Sequence, residues 1–167
     1  MKNVAIGAFV VFLAVVLLQP IGEIMNLTKE KINLGTALTN AARSAKDRSL
    51  EYEFQINLDA QVNEEKFIIY FAESFEDAMN FTWTNKGESS RKLFFRSNDD
   101  KYNEFIVELT FEDEEDLASE QIVTKVEMKA ETEYKFKTKY LKMAEDAGED
   151  TPTKLTSERT LILSIKN

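Results

Sequence analysis

The chain has 167 residues and a net charge of −9, from 21 basic and 30 acidic residues, and it contains neither cysteine nor histidine. This length leaves room for one small domain. The acidic balance repels nucleic acid phosphates and anionic lipid surfaces, so we expect no nucleic acid partner. The missing residue types exclude thiolate nucleophiles, imidazole acid–base chemistry and zinc–thiolate sites. We therefore expect neither an enzyme nor a cofactor.

The N-terminus is a long apolar run. Val4–Leu18 contains 15 residues without a charged or polar side chain, and Lys2 is the basic residue before it. The residues after it, around Pro20, offer no small-x-small cleavage site, so we expect the segment to be retained. Positive charge before the run places Lys2 in the cytoplasm and the chain after Pro20 outside. Residues 1–20 are thus predicted to form a transmembrane or filament-core helix.

This apolar run is short for a membrane span. Fifteen helical residues cover about 22 Å of a hydrocarbon core of about 30 Å. Four small residues in the run, Ala5, Gly7, Ala8 and Ala14, would let neighbouring helices approach closely. Packing between copies of the chain is one interpretation, and a lone anchor whose ends snorkel is the other.

An amphipathic helix is predicted over residues 21–52. Pro20 marks a kink or the start of this second helical part. Apolar residues recur at steps of three and four, typical of one covered helix face. That face covers either the chain's own sheet or another subunit. The candidate assembly residues are therefore Ala5, Gly7, Ala8 and Ala14 in the first helical part, and Ile24, Leu27, Leu34, Leu38, Ala41 and Ala45 in the second.

The rest of the chain, residues 53–167, is predicted to be an α+β head domain. Asn63 can cap a short second helix, in which phenylalanines repeat every four residues from Phe67 to Phe75 as a core ridge. Tyr52–Leu58 is predicted to be a short extended stretch. Alternating residues predict strands, most clearly over Phe105–Phe111, Ile122–Tyr140 and Leu155–Ile165, with shorter candidates at Phe81–Thr84 and Arg91–Arg96. Ile122–Tyr140 is too long for one regular strand, so it contains a bulge or a tight turn. The fold class is α+β, with a long helix packed on a small antiparallel sheet that keeps one face charged and solvated.

Two acidic clusters are candidate metal or partner sites. Asn98, Asp99, Asp100 and Glu104 could supply oxygen ligands to Ca²⁺, although their spacing does not match an EF-hand loop. Asn and Asp are also ordinary turn residues, which favours a solvated turn. Glu112–Asp116 could bind a metal or a basic partner, but a run of like charge normally forms an exposed loop.

The overall plan resembles the type IV pilin-like superfamily, in particular the TadE-like pilin-type proteins of tight-adherence systems. The resemblance lies in the first fifty residues: a short basic start, then an apolar helix that runs into an amphipathic one. It departs from the family at Ala5, where those pilins usually carry glutamate, and no glutamate precedes Glu23. The resemblance implies helices packed in a filament core and heads that face outward.

The expected function is a structural subunit of an extracellular pilus-like filament, polymerised through the N-terminal helix. Its expected partners are further copies of the chain, other pilin-like subunits, and the membrane during or after export. The alternative is a membrane-tethered accessory protein of a secretion, conjugation or sporulation apparatus, with a protein-binding outer domain. Both place the head outside the cell, on an anchored chain or on a surface filament.

Overall fold

The computed structural model describes residues 2–52, 60–86, 90–116, 121–133, 135, 146–148 and 154–166. Helix α1 spans Lys2–Ser49 and helix α2 spans Glu64–Met79. The strands are β1 (Leu50–Tyr52), β2 (Ala60–Val62), β3 (Phe81–Trp83), β4 (Lys92–Ser97), β5 (Phe105–Asp116), β6 (Gln121–Glu133) and β7 (Lys154–Lys166). The coarse prediction of an α+β chain with an antiparallel sheet is confirmed.

Helix α1 continues through Pro20 as one element. Its end at Ser49 lies close to the predicted end at residue 52, and β1 follows at once. The predicted boundary at residue 20 therefore falls inside a continuous helix. The part of the predicted Tyr52–Leu58 extended stretch beyond Tyr52 lies outside the described residues.

Strands β3 to β7 form a five-stranded antiparallel sheet in the order β3-β4-β5-β6-β7, while β1 and β2 pair separately. Each strand of the larger sheet pairs with its neighbour in the chain, which makes the sheet a meander. A register shift at Thr124 and Lys125 interrupts the β6–β7 pairing. The extra residue at this shift is Leu163 of β7, whereas β6 pairs without an extra residue of its own. The bulge or tight turn predicted for Ile122–Tyr140 is therefore absent from the described part of that segment, and residues 134 and 136–140 lie outside the described residues.

Helix α2 forms where its sequence indicates, and it supplies the centre of the core. The Asn63 side chain accepts a hydrogen bond from the Lys66 backbone N–H, which caps the first turn. Phe67, Phe71 and Phe75 are fully buried. The ring of Phe75 lies 5.1 Å from that of Phe95 on β4, centroid to centroid. The predicted aromatic ridge is thus the contact between α2 and the inner face of the sheet.

The outer face of the sheet is solvated, as predicted. One row of residues crosses four strands with alternating charge, since Lys92 lies opposite Glu108, Glu108 opposite Lys129, and Lys129 opposite Glu158. Lys92 Nζ lies 3.3 Å from a Glu108 carboxylate oxygen. Opposite charges on directly facing residues stabilise a sheet modestly. This face therefore needs no covering layer.

The acidic run from Glu112 differs from its prediction. Residues Glu112–Asp116 were expected in a loop, but they form the last part of β5 and pair with β6 as far as Gln121. Lys125 forms an ion pair with Glu114, and the Thr124 hydroxyl donates to Asp113 at 2.7 Å. Because the partners on β6 balance the carboxylates, the strand continues where charge repulsion alone would have ended it.

Candidate assembly site

The first part of α1 exposes apolar side chains on every side. Large apolar residues from Val4 to Leu18 have between 36% and 76% of their surface exposed. Five consecutive residues, Phe9–Leu13, are all exposed, and consecutive helical residues point in directions about 100° apart. An apolar surface that surrounds a helix leaves no side of it suited to water.

The four small residues predicted to mediate assembly all lie on this exposed part. Ala5, Gly7, Ala8 and Ala14 are exposed. No atom outside the helix's own neighbouring backbone lies within 4 Å of a Cβ placed on Gly7. Nothing in the described chain fills the space around these residues, so a neighbouring helix could approach them closely.

The assembly residues of the second helical part divide into two groups. Leu34, Leu38, Ala41 and Ala45 have at most 1% of their surface exposed and belong to the core of the head. They have no surface for another subunit to cover, so the interpretation that this face covers the chain's own sheet applies to them. Ile24 is 64% exposed and Leu27 is half-buried, because the head ends near Glu30.

Glu30 marks the point at which α1 leaves the head. Its carboxylate accepts a hydrogen bond from Tyr102 and lies 2.5 Å from Lys101 Nζ. Only 12% of the Glu30 side chain is exposed. Burial raises the pKa of Glu30, but the hydrogen bonds from Lys101 and Tyr102 lower it by more, and the net pKa lies below the ordinary value. Its charged form therefore ties α1 to the connection between β4 and β5.

Further contacts fix the second half of α1 along the head. Lys46 Nζ donates to the Ile162 carbonyl of β7 at 2.9 Å. The Arg48 guanidinium lies 3.9 Å from the centre of the Tyr70 ring. A Cβ added to Gly35 would lie 2.2 Å from the Arg159 guanidinium, so the glycine makes room for an arginine of β7. The apolar part of α1 is therefore the continuation of a helix that the head holds firmly.

The candidate calcium ligands lie in the β4–β5 connection as parts of a turn. The Asp99 carboxylate accepts from the Ser97 hydroxyl and from the Lys101 N–H, while Asp100 lies 2.5 Å from Lys135 Nζ. Asn98 accepts from the Thr82 hydroxyl, and Glu104 is exposed. The hydrogen bond from Ser97 keeps the pKa of Asp99 below its usual range. Among the described residues, no three carboxylates come together in a way that could hold a metal ion.

An open groove of about 390 Å³ lies beside the Glu30 contacts, between α1, the end of α2 and the β4–β5 connection. Asn33, Thr36 and Asn40 line it from α1, and Met79 lines it from α2. Sequence reasoning did not single out Glu30, although an acid on the covered side of an amphipathic helix was an available signal. The groove depends on how three elements meet, and no sequence pattern indicates it.

Among the residues that the structure describes, no helix has a stretch long and apolar enough to qualify as a membrane span. The chain matches no protein-family model, no curated protein and no solved structure. Function must therefore be inferred from α1 and its surroundings.

Proposed function

We propose that the chain is a structural subunit of an extracellular pilus-like filament, polymerised through the first part of α1. The observation that carries the proposal is the ring of exposed apolar side chains over Val4–Leu18, on a helix whose second half is fixed in the head. The head then has the role of the outer surface of the filament. The first part of α1 has the role of its core.

The amount of exposed apolar surface supports several neighbours for each copy. Eleven large apolar side chains between Val4 and Leu18 are exposed. With aromatic side chains burying about 150–250 Å² and aliphatic ones somewhat less, their exposed surface is on the order of 1,000 Å². Soluble monomers rarely expose an apolar patch larger than about 300–600 Å². Because one partner helix covers only one side, a dimer would leave much of this surface in water.

The small residues and the length of the apolar run favour helices over lipid as the covering material. A run of 15 residues spans about 22 Å, less than a bilayer core of about 30 Å. Ala5, Gly7, Ala8 and Ala14 allow close approach of helix backbones, which lipid tails do not require. Each large apolar side chain contributes about 1.5–3 kcal/mol when fully buried, so a packed core has ample driving force.

Shearing and fractionation of cells that express the full chain test the proposal. We expect the protein in high-mass material released by shear, and we expect Gly7→Leu to abolish that material because leucine would hold neighbouring helices apart. Ala78→Leu is the matched control, since Ala78 is an exposed helical residue of the head.

The same fractionation distinguishes a filament subunit from the alternative, a membrane-tethered accessory protein. Protein that remains wholly in the detergent-extractable membrane, unchanged by Gly7→Leu, would contradict the filament and favour the tethered accessory protein. Protein released by shear in monomeric form would contradict both.

A further inference from the structure

Helix α1 carries a second, exposed stripe on the side away from the core. We call it the outer stripe, and its members recur at helical spacing. They are Ile21, Ile24, Met25, Thr28, Ile32 and Thr36, of which Thr36 lies at the edge of the stripe and also lines the groove. The core residues Leu34, Leu38, Ala41 and Ala45 lie on another side of the helix, about 130° away at 3.6 residues per turn. Ile24, Met25 and Ile32 are 60–66% exposed although they are adjacent to the head or just below it.

The two threonines of the outer stripe use their hydroxyls internally. Thr28 donates to the Ile24 carbonyl at 2.7 Å, and Thr36 donates to the Ile32 carbonyl at 2.9 Å. A threonine bonded in this way presents mainly its methyl group to its surroundings. The outer stripe is thus apolar along its length, and it suits the side of another apolar helix better than it suits water.

We propose that the outer stripe of one copy receives the Val4–Leu18 segment of a second, parallel copy. This inference rests on the proposed function and adds the register of the subunits. The centre of Val4–Leu18 is Val11, and the centre of the outer stripe is close to Thr28. Matching the two centres shifts one copy along the other by 17 residues, or about 25 Å at 1.5 Å per residue.

The charges on the two copies agree with this register. Ile162 lies opposite Lys125, and Lys125 lies opposite Glu112, so the acidic end of β5 is level with Lys46 of its own helix. After the shift of 17 residues along the helix axis, residue 29 of the second copy lies level with residue 46 of the first copy. Lys29 and Lys31, which are exposed, then lie at the height of the exposed acidic residues Glu112–Glu114.

The same complementarity holds for the whole chain. Lys2–Ser49 has six basic and three acidic residues, whereas the remaining residues have 15 basic and 27 acidic ones. Two heads side by side would repel each other, but a basic helix beside an acidic head would not.

Disulfide cross-linking of filaments tests the register, because the chain has no cysteine of its own. The variant carries Val11→Cys and Thr28→Cys in one chain. The two positions are about 25 Å apart along one helix, far beyond the Cα separation of about 4.4–6.8 Å that a disulfide spans, so any bond between them joins two copies. We expect oxidised filaments to give a ladder of covalent multimers under denaturing conditions.

The control pairs Val11→Cys with Asn33→Cys, an exposed position that lies about 140° from Thr28 around α1 at 3.6 residues per turn. It should give at least tenfold less multimer beyond the dimer. Filaments that form under reducing conditions but yield no ladder from the Thr28 pair, or equal ladders from both pairs, would overturn the register and leave the filament proposal intact. A variant and a wild-type chain that both remain monomeric would overturn the filament proposal, and the register with it.

Discussion

Helix α1 has a first half before Glu30 and a second half from Glu30 to Ser49. Both halves contain alanine and large apolar residues, but the second half packs in the head and the first half is exposed. Leu34, Leu38 and Ala41 are buried under the head, whereas Val10 is 58% and Leu18 is 64% exposed. The second half alternates covered and polar faces, and the first half has no polar face along its apolar run. A helix with one apolar face can bury that face against its own chain, but a helix that is apolar on all sides needs other molecules to bury it. The predictions below contrast the two halves, or the exposed and buried residues of the head.

The largest expected difference comes from placing the same charge in each half of α1. Ala41→Glu puts a carboxylate at a site with 1% exposure, and we expect it to lower the free energy of unfolding of the head by about 3–5 kcal/mol. Ala14→Glu should leave that free energy unchanged but abolish assembly. Denaturant unfolding in detergent, followed by the fluorescence of the buried Trp83, measures the first effect. Equal destabilisation of the head by Ala41→Glu and Ala14→Glu would contradict the difference in burial between the two halves of α1.

Truncating a leucine in each half should give a somewhat smaller difference. Leu38→Ala leaves a cavity in the core and should cost about 2–5 kcal/mol in the same unfolding measurement. Leu17→Ala, at a position with 51% exposure, should change the stability of the head by less than about 0.5 kcal/mol. A large effect of Leu17→Ala on the isolated subunit would mean that the first half packs against the head.

Acid should weaken the junction between the halves. The pKa of Glu30 is lowered from 4.5 in the folded chain, so the folded state binds fewer protons than the unfolded state below that pH. Its contribution to stability is complete above about pH 4.5 and is lost as the pH falls through the lowered pKa. Glu30→Gln should therefore flatten the fall in unfolding free energy below pH 4.5.

Glu127→Gln is the control for the acid experiment, because Glu127 is exposed on the outer face of the sheet. An acid profile that Glu30→Gln leaves unchanged, or changes no more than the control does, would show that the contacts with Lys101 and Tyr102 do not depend on the charge of Glu30.

The smallest effect expected is a gain in stability at a buried residue of β7. Within the part of the chain that the structure describes, the Ser157 hydroxyl is buried and has no hydrogen-bond partner. Ser157→Ala should raise the free energy of unfolding by about 1 kcal/mol, because it removes an unsatisfied buried group. Thr160→Ala on the same strand is exposed and should change it by less than about 0.5 kcal/mol. A loss of stability in Ser157→Ala would reveal a partner for the hydroxyl.

Local patterns predicted most of the fold. The Asn63 cap, the spacing of Phe67, Phe71 and Phe75, and the alternation from Phe105 each depend on residues close together in the chain, and all three are confirmed. The end of β5 was predicted incorrectly, because its carboxylates are balanced by Thr124 and Lys125 of another strand. A single segment carries no information on such a partner.

The candidate site was predicted only in part, for the same reason. The apolar run at Val4–Leu18 is visible in the sequence. The sequence does not show that the predicted assembly residues after Glu30 are buried and those before it are more exposed, because this depends on where the head ends along α1. Leu27 and Leu34 lie seven residues apart on the same side of α1, and the extent of the folded head leaves the first half-buried and the second fully buried.

Electron microscopy of material sheared from cells expressing the full chain, with mass spectrometry of its N-terminal peptide, tests the central claim most directly. The account predicts filaments whose subunits retain Val4–Leu18, so that the N-terminal peptide includes the apolar segment. Filaments built from subunits that have lost this segment, or cells without filaments and with all the protein in the membrane fraction, would contradict it.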